Sequence, residues 1–490
     1  MATLKGQVVS GVMWRFLERL GTQSVTLIVS IVLARLLPPS DFGTVALVAI
    51  FISISNILID CGFGTALIQK KETTPLDYNS VFYLSLGFSL ALYATLFLLA
   101  GPIATFFDKP VLKAVLRVLA ATVVLKALNG VQTSILVRNM LFKLSFRTAL
   151  LSTLASGATG VGMALGGFGV WSLAVSNLVG SGVATVARWN LVGWRPGLSF
   201  SWKAVSSLFA FSWKILASGF VDTAYGNLVG MIIGKCYTSA DLAFYNKGQQ
   251  FPRLLMDSVN STIGTVSFPA LSKMQANHDA MRQAMRKMIG CSCLVVFPSM
   301  IMLGFCSNSL VHILLGDKWV AAVPFMQLAC FHFALWPIHS VNLQAVTALG
   351  RSDIFLKLEI LKKAIGLAIL FFSYRHGPFF MALTTALVAG PLSAWANAFP
   401  SGRLLNYSLL DQIHDVGKTM LACLVMAAAL SGVMRLGLDP LPSFAALTIS
   451  GTTLYAAMIW LLKIPAAVFL SGILLEKIRS RFRAREKPHA

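Results

Sequence analysis

The sequence predicts an all-α integral membrane protein of about fourteen transmembrane helices, and three observations predict it. Apolar stretches recur along all 490 residues, mean hydropathy is +0.75, and only 12% of residues are charged. A water-soluble core of this size could not bury that much apolar surface, so the solvent is lipid and no stretch is left over for a soluble domain. The net charge of +22 sits in short connections and in the tail. That placement reads as membrane topology and argues against nucleic acid as a partner.

With roughly 20 apolar residues per crossing, six helices are expected near 14–37, 42–67, 79–106, 112–137, 143–166 and 169–191. They form an N-terminal lobe, 1–200. The start MATLKGQVVS has neither an apolar core nor a small-residue cleavage site, so the first helix is read as retained. Six more helices, near 207–235, 241–271, 288–315, 322–349, 354–374 and 378–399, form a C-terminal lobe, 201–405. Two additional helices, near 416–437 and 442–463, fill 406–470, and a basic tail occupies 471–490.

The lobes read as a parallel repeat. ARLLPPSDFGTV from Ala34 lines up without a gap against GKCYTSADLAFY from Gly234, placing Arg35 on Lys235 and Asp41 on Asp241. Gly64 and Thr65 fall on Gly264 and Thr265, while Trp14 and Arg15 match Trp213 and Lys214 after a one-residue shift. Parallel repeats of this kind place a polar path between the two halves near the bilayer middle. Lys and Arg concentrate on one side, at Lys70, Lys71, Arg138, Lys143, Arg188, Arg195, Lys203, Arg282, Arg286, Lys287, Arg351 and the tail. That side is expected to be cytoplasmic, with both termini inside and an even number of crossings.

Ionisable groups inside spans are costly in hydrocarbon and tend to face a partner or a water-filled cavity. Arg15, Glu18 and Arg19 share one face of the first helix with Thr22 and Thr26, and the seventh repeats the idea with Lys214, Ser218, Asp222 and Tyr225. The eighth helix carries a stripe of Asn246, Gln250, Arg253, Asp257 and Asn260, in which Arg253 and Asp257 stand one turn apart and can pair. Lys126, with Asn129, extends the cationic surface on the fourth. These groups are the expected cavity lining, although helix–helix bonding also accounts for the eighth-helix stripe. Asp60 is expected to serve locally, pairing with a nearby basic group or capping backbone.

Other apparent motifs carry less. Cys61, Cys236, Cys291, Cys293, Cys306, Cys330 and Cys423 mostly lie in apolar stretches and read as packing. No metal site or cofactor is expected: His332 and His339, two turns apart, make no one-turn ligand pair. Gly417-Lys418-Thr419 ends like a phosphate loop, but Gln412 stands where that loop needs glycine. The glycine-rich stretch 157–169 reads as a close helix interface.

The opening GVMWRFLERLGTQSVTLIVSIVLARLLPPSDFGTVAL and the following LIDCGFGTALIQKK resemble bacterial polysaccharide flippases of the Wzx type, particularly their colanic-acid exporter-like branch. These belong to the multidrug, oligosaccharidyl-lipid and polysaccharide exporter superfamily. YTSADLAFYNKGQQFPRLLMDSVNSTIGTVSFPALSKMQ is similar to the same family's seventh-to-eighth helix region. The resemblance implies two six-helix lobes plus two helices in the bacterial inner membrane, moving undecaprenyl-pyrophosphate-linked oligosaccharide repeat units by alternating access for exopolysaccharide or lipopolysaccharide synthesis. Membrane lipid is then a partner and a polysaccharide polymerase complex a candidate one.

The residues suit such a substrate, since cations meet phosphates while amides, hydroxyls and aromatic groups meet sugars. A cavity for any anionic amphiphile would look similar. On this reading, neutralising Arg15 or Lys214 abolishes transport. A multidrug antiporter of the same superfamily calls for an acidic or aromatic cavity. A membrane polymerase or ligase calls for a sizeable loop on the far side, where every connection is short.

Overall fold

The computed structural model describes residues 4–60 and 62–472, with side chains described except at 4–12, 16, 210, 211, 214, 215 and 261–266. Seventeen α-helices carry the described chain, and it contains no strand. The first seven are α1 (Leu4–Leu36), α2 (Pro39–Asp60), α3 (Phe63–Gln69), α4 (Pro75–Phe106), α5 (Pro110–Arg138), α6 (Phe142–Leu165) and α7 (Val170–Leu191). Next come α8 (Trp202–Cys236), α9 (Ser239–Ser272), α10 (His278–Leu314), α11 (Val323–Ala334) and α12 (Trp336–Ala348). The last five are α13 (Ser352–Ser373), α14 (Pro378–Thr384), α15 (Gly390–Leu405), α16 (Leu409–Met434) and α17 (Pro440–Leu462).

Every segment expected to be helical is helical. Three of them are interrupted, and each break has a local cause. Between α2 and α3, Gly62 takes a left-handed conformation at φ 69° that a side chain would resist. Between α11 and α12, Pro337 in the first turn of the new helix removes a backbone donor. A π turn, Thr385–Ala389, joins α14 to α15 ahead of Pro391. Elsewhere the ends are capped from the sequence: Thr74 and Asp77 form a capping box at α4, as Ser408 and Asp411 do at α16.

Among the described residues, eleven segments are long and apolar enough to cross a membrane. The three expected spans outside that set are α5, α9 and α13. They carry the charges: Lys113, Arg117 and Lys126 on α5, Lys247, Arg253 and Asp257 on α9, and Lys357, Glu359, Lys362 and Lys363 on α13.

The chain forms two compact units, Met1–Ala243 and Phe244–Ala490. In the N-terminal unit, α4–α7 pack against one another, with α1 on α6 and α2 against α5 and α8. Glycine sets the closest approaches. Gly157 and Gly160 of α6 meet Val29 of α1 and Ser176 of α7, the interface expected for this stretch, whereas Gly162 opens to space. A methyl on Gly43 of α2 would overlap the Ser239 carbonyl, and one on Gly234 of α8 would overlap Leu47. Beside that crossing, Lys109 Nζ donates to the Gly234 carbonyl at 3.3 Å and Lys235 pairs with Asp108 at 2.9 Å. These contacts place α8 with the first unit by packing, although the repeat pattern assigns the stretch from 201 onward to the second lobe.

In the C-terminal unit the long α10 is central, packed by α11, α12, α16 and α17. Its core joins Met281, Met285, Ile289 and Cys293 of α10 to Val341 and Ala345 of α12 and to Tyr407, Val416 and Cys423. Cys306 and Cys330 are also buried, as expected of packing residues, while Cys236 is exposed. Cys61 lies outside the described residues.

Candidate functional site

A polar cavity of about 690 Å³ lies inside the N-terminal unit, walled by α2, α3, α5, α6 and α7. Its charged groups are Asp60, at the end of α2, Lys126 in the middle of α5, and Arg188, three residues before the end of α7. Small residues leave the room: the space before Gly130 is open, and a methyl on Gly64 would stand 3.0 Å from the Asp60 carboxylate. Asn56, Asn129, Asn177, Thr133, Ser134 and Ser181 supply amides and hydroxyls.

Part of that polar inventory is committed to the helices. Asn129 Nδ2 donates to Thr185 Oγ1 at 2.7 Å, and Asn177 Nδ2 donates to the Leu173 carbonyl at 2.8 Å. Three atoms of these wall residues lack a partner, since Asn56 Oδ1, Asn129 Oδ1 and Arg188 Nε are buried without a hydrogen bond. Buried polar atoms of this kind call for ordered water or a ligand. Electrostatically each cation answers an acid on another helix. Asp60 attracts Lys126, and Glu18 of α1 attracts Arg188.

The cavity gathers few of the residues expected from sequence. Lys126 lines it, together with Asn129. Arg15 is exposed, paired with Glu18 at 3.2 Å and stacked over Phe142 at 4.6 Å. Glu18 also accepts from Ser145 Oγ at 2.9 Å, so the α1 face is occupied by the start of α6. Arg19 is half-buried on the same helix. The Lys214 side chain lies outside those described, as does that of Thr265 beside Gly264. On α8, Asp222 is exposed and Tyr225 half-buried.

The α9 residues belong to a different environment. Arg253 and Asp257 do approach, at 3.9 Å, but their side chains are 69% and 53% exposed. Asn246 is exposed, Gln250 accepts from Lys247 Nζ at 3.1 Å, and Asn260 accepts from Ser340 Oγ at 2.8 Å. The buried cation of this helix is Lys247, set over Trp319. It lies outside the expected stripe because it stands about 100° round the helix from Asn246, although its Nζ reaches back to Gln250 of that stripe.

Sequence reasoning also missed Arg188 and Asp60 as cavity groups. By sequence, Arg188 reads as a loop charge that fixes topology, and Asp60 as a local pairing group. Both lie near helix ends, where hydropathy cannot tell a charge facing a loop from one turned inward.

The C-terminal unit has a cavity of about 540 Å³, and it is apolar, lined by Phe297, Met300, Phe305, Phe331, Leu335 and Met420 among others. His332 and His339 stand near the π turn: His339 Nδ1 lies 3.0 Å from Asn397 Nδ2, and a methyl on Gly390 would stand 3.2 Å from His332 Nδ1.

The sequence profile of a family described as "Polysaccharide biosynthesis protein" matches residues 32–324. The chain is 24% identical over 366 residues to the lipopolysaccharide biosynthesis protein WzxC of Escherichia coli K12, a match covering 74% of each chain. It is 22% identical over 474 residues to the succinoglycan biosynthesis transport protein ExoT of Rhizobium meliloti, covering 97% of this chain and 96% of that one. A solved structure of the lipid II flippase MurJ, in an inward closed conformation, aligns with a TM-score of 0.75 at 15% identity. That alignment covers 95% of this chain and 100% of the other, and it is a likeness of fold.

Proposed function

We propose, because the chain belongs to the polysaccharide biosynthesis protein family, that it is a flippase of lipid-linked oligosaccharides. Its substrate is an undecaprenyl-pyrophosphate-linked repeat unit, carried across the bacterial inner membrane by alternating access for exopolysaccharide or lipopolysaccharide synthesis. All fourteen helical segments cross the bilayer and both termini are cytoplasmic, since the basic connections then fall on one side. The names of its relatives, one in lipopolysaccharide synthesis and one in succinoglycan transport, support the class of cargo.

The observation that carries this reading is the N-terminal cavity. Two cations, Lys126 and Arg188, share it with amides and hydroxyls, groups that hydrocarbon would exclude. Its volume falls in the range of small-ligand sites, roughly 300–1,000 Å³. Cations answer the pyrophosphate and the amides and hydroxyls answer the first sugar, while the polyprenyl tail stays in lipid. Arg188, near the cytoplasmic end of its helix, meets the head group first and Lys126 holds it deeper. A polysaccharide polymerase receives the product on the far side, and co-purification from crosslinked membranes tests that partnership.

The decisive experiment deletes the gene and locates the lipid-linked repeat units with a membrane-impermeant sugar-modifying reagent on intact cells. Accumulation on the protected face, reversed by the wild-type gene, is expected. Normal glycan export combined with altered sensitivity to cationic drugs would overturn the proposal in favour of a multidrug antiporter.

A further inference from the structure

The N-terminal cavity holds a carboxylate among its cations, and an anion-binding site has no evident use for one. Asp60 lines the same space as Lys126 and Arg188 and attracts Lys126 across it. A structural ion pair would close that distance. Among the described residues, no direct ion pair joins Asp60 to Lys126, and no hydrogen bond fixes the Asp60 carboxylate, although both side chains are exposed to the cavity. Asp60 also stands at a break in the helix. It is the last residue of α2, followed at Gly62 by the left-handed turn, and one turn onward Gly64 leaves beside its carboxylate a space that a methyl would occupy.

Two cations with no competing anion would hold a pyrophosphate tightly and release it slowly. Passage through a site requires binding strong enough to enter and weak enough to leave. Resting on the reading of this cavity as the head-group site, we infer that Asp60 is a displaceable counter-anion. It keeps Lys126 charged and compensated while the cavity is empty, yields that cation to a phosphate or pyrophosphate ester, and reclaims it on release. The second cation has a parallel arrangement, since Arg188 draws on Glu18, but Glu18 is held by Arg15 and Ser145 and stays in place. Asp60 is thus the acid that exchanges.

The test uses the full-length protein in nanodiscs of zwitterionic lipid, with farnesyl pyrophosphate as the probe and calorimetry as the readout. Asp60→Asn should bind the probe about tenfold more tightly than wild type, the size of one charge–charge interaction across a hydrated cavity. Asp60→Glu, which keeps the charge, should bind like wild type, and Asp60→Asn combined with Lys126→Gln should bind as weakly as Lys126→Gln alone. In cells, Asp60→Asn should slow glycan export although its thermal midpoint matches wild type. Inorganic pyrophosphate separates the sources of the ligand: a response to both probes assigns the site to phosphate itself, and a response to farnesyl pyrophosphate alone assigns it to a lipid-borne phosphate.

Equal or weaker probe binding by Asp60→Asn, while Lys126→Gln still weakens it, would overturn the counter-anion and leave the head-group site standing. Probe binding that is indifferent to Lys126 and Arg188 would overturn both.

Discussion

In the N-terminal unit, Asn129 and Arg188 line a polar cavity and each keeps a buried polar atom unpartnered. At the seam of the C-terminal unit where α12 meets α16, Asn342 and Gln412 instead exchange hydrogen bonds with each other, at 2.8 and 3.0 Å, and both are fully buried. Nearby, Asp415 accepts from the Tyr407 hydroxyl and from Arg286, each at 2.8 Å. The same residue types therefore serve different ends. Polar groups that satisfy one another specify packing, whereas buried polar groups without a partner call for a water or a ligand. Substitutions should separate accordingly: those in the first region cost transport and spare stability, and those in the second do the reverse.

The largest effect is expected at the cations. Lys126→Gln and Arg188→Gln should each lower glycan export in a complementation assay by tenfold or more, because each removes a charge-assisted contact worth roughly 1.5–3 kcal/mol. Membrane insertion and the thermal midpoint in detergent should stay at the wild-type level. Parallel loss of export and of folded protein in both variants would erase the distinction between the two regions. The opposite profile is expected of Gln412→Leu. It leaves the Asn342 amide buried without its partner, at a cost of about 1–3 kcal/mol, so the thermal midpoint falls by several degrees while export persists at low temperature.

A smaller change sharpens the C-terminal side of the comparison. Burial, reinforced by the adjacent Asp415 carboxylate, pushes the Tyr407 hydroxyl well above its ordinary pKa, so it stays a proton donor throughout the working pH range. Tyr407→Phe removes that donor but leaves Asp415 paired with Arg286. Destabilisation of about 1 kcal/mol is expected, less than for Gln412→Leu and without effect on export, as thermal melts alongside the export assay would show.

How far the sequence leads differs between fold and site. Apolar length located the eleven described segments long and apolar enough to cross a membrane, because crossing a bilayer is a one-dimensional requirement that composition states directly. The charged α5, α9 and α13 are helical as expected but fall outside that set. The interruptions at Gly62 and at the π turn 385–389 were not legible, since a break inside an apolar run leaves hydropathy unchanged. The extra turns at the start of α10 escaped for the opposite reason: MRQAMRKM is helical but charged. On the cavity wall, Lys126 could be picked out because it is a cation far from any connection. Asp60 and Arg188 could not, because their place on that wall depends on which neighbours pack around them. The Arg15–Glu18 face misled in the other direction: its spacing is that of a cavity wall, yet Ser145 and Phe142, more than a hundred residues away, occupy it.

That last case gives the smallest predicted effect and the sharpest contrast with Lys126. Arg15 is a cation in the same N-terminal unit, and by sequence spacing alone its removal abolishes transport. In the structure it is an exposed partner of Glu18, and pairs of that kind contribute about 0–1 kcal/mol. Glu18 keeps its bond from Ser145 when Arg15 is replaced, so no buried charge is stranded. Arg15→Gln should therefore retain export within about twofold of wild type, and stability within about 1 kcal/mol. Measured beside Lys126→Gln in the same complementation assay, it asks whether a cation matters for its sign or for the cavity it faces. A loss in Arg15→Gln as deep as in Lys126→Gln would mean that the head group is met at α1 as well, and that the ion pair with Glu18 opens to receive it.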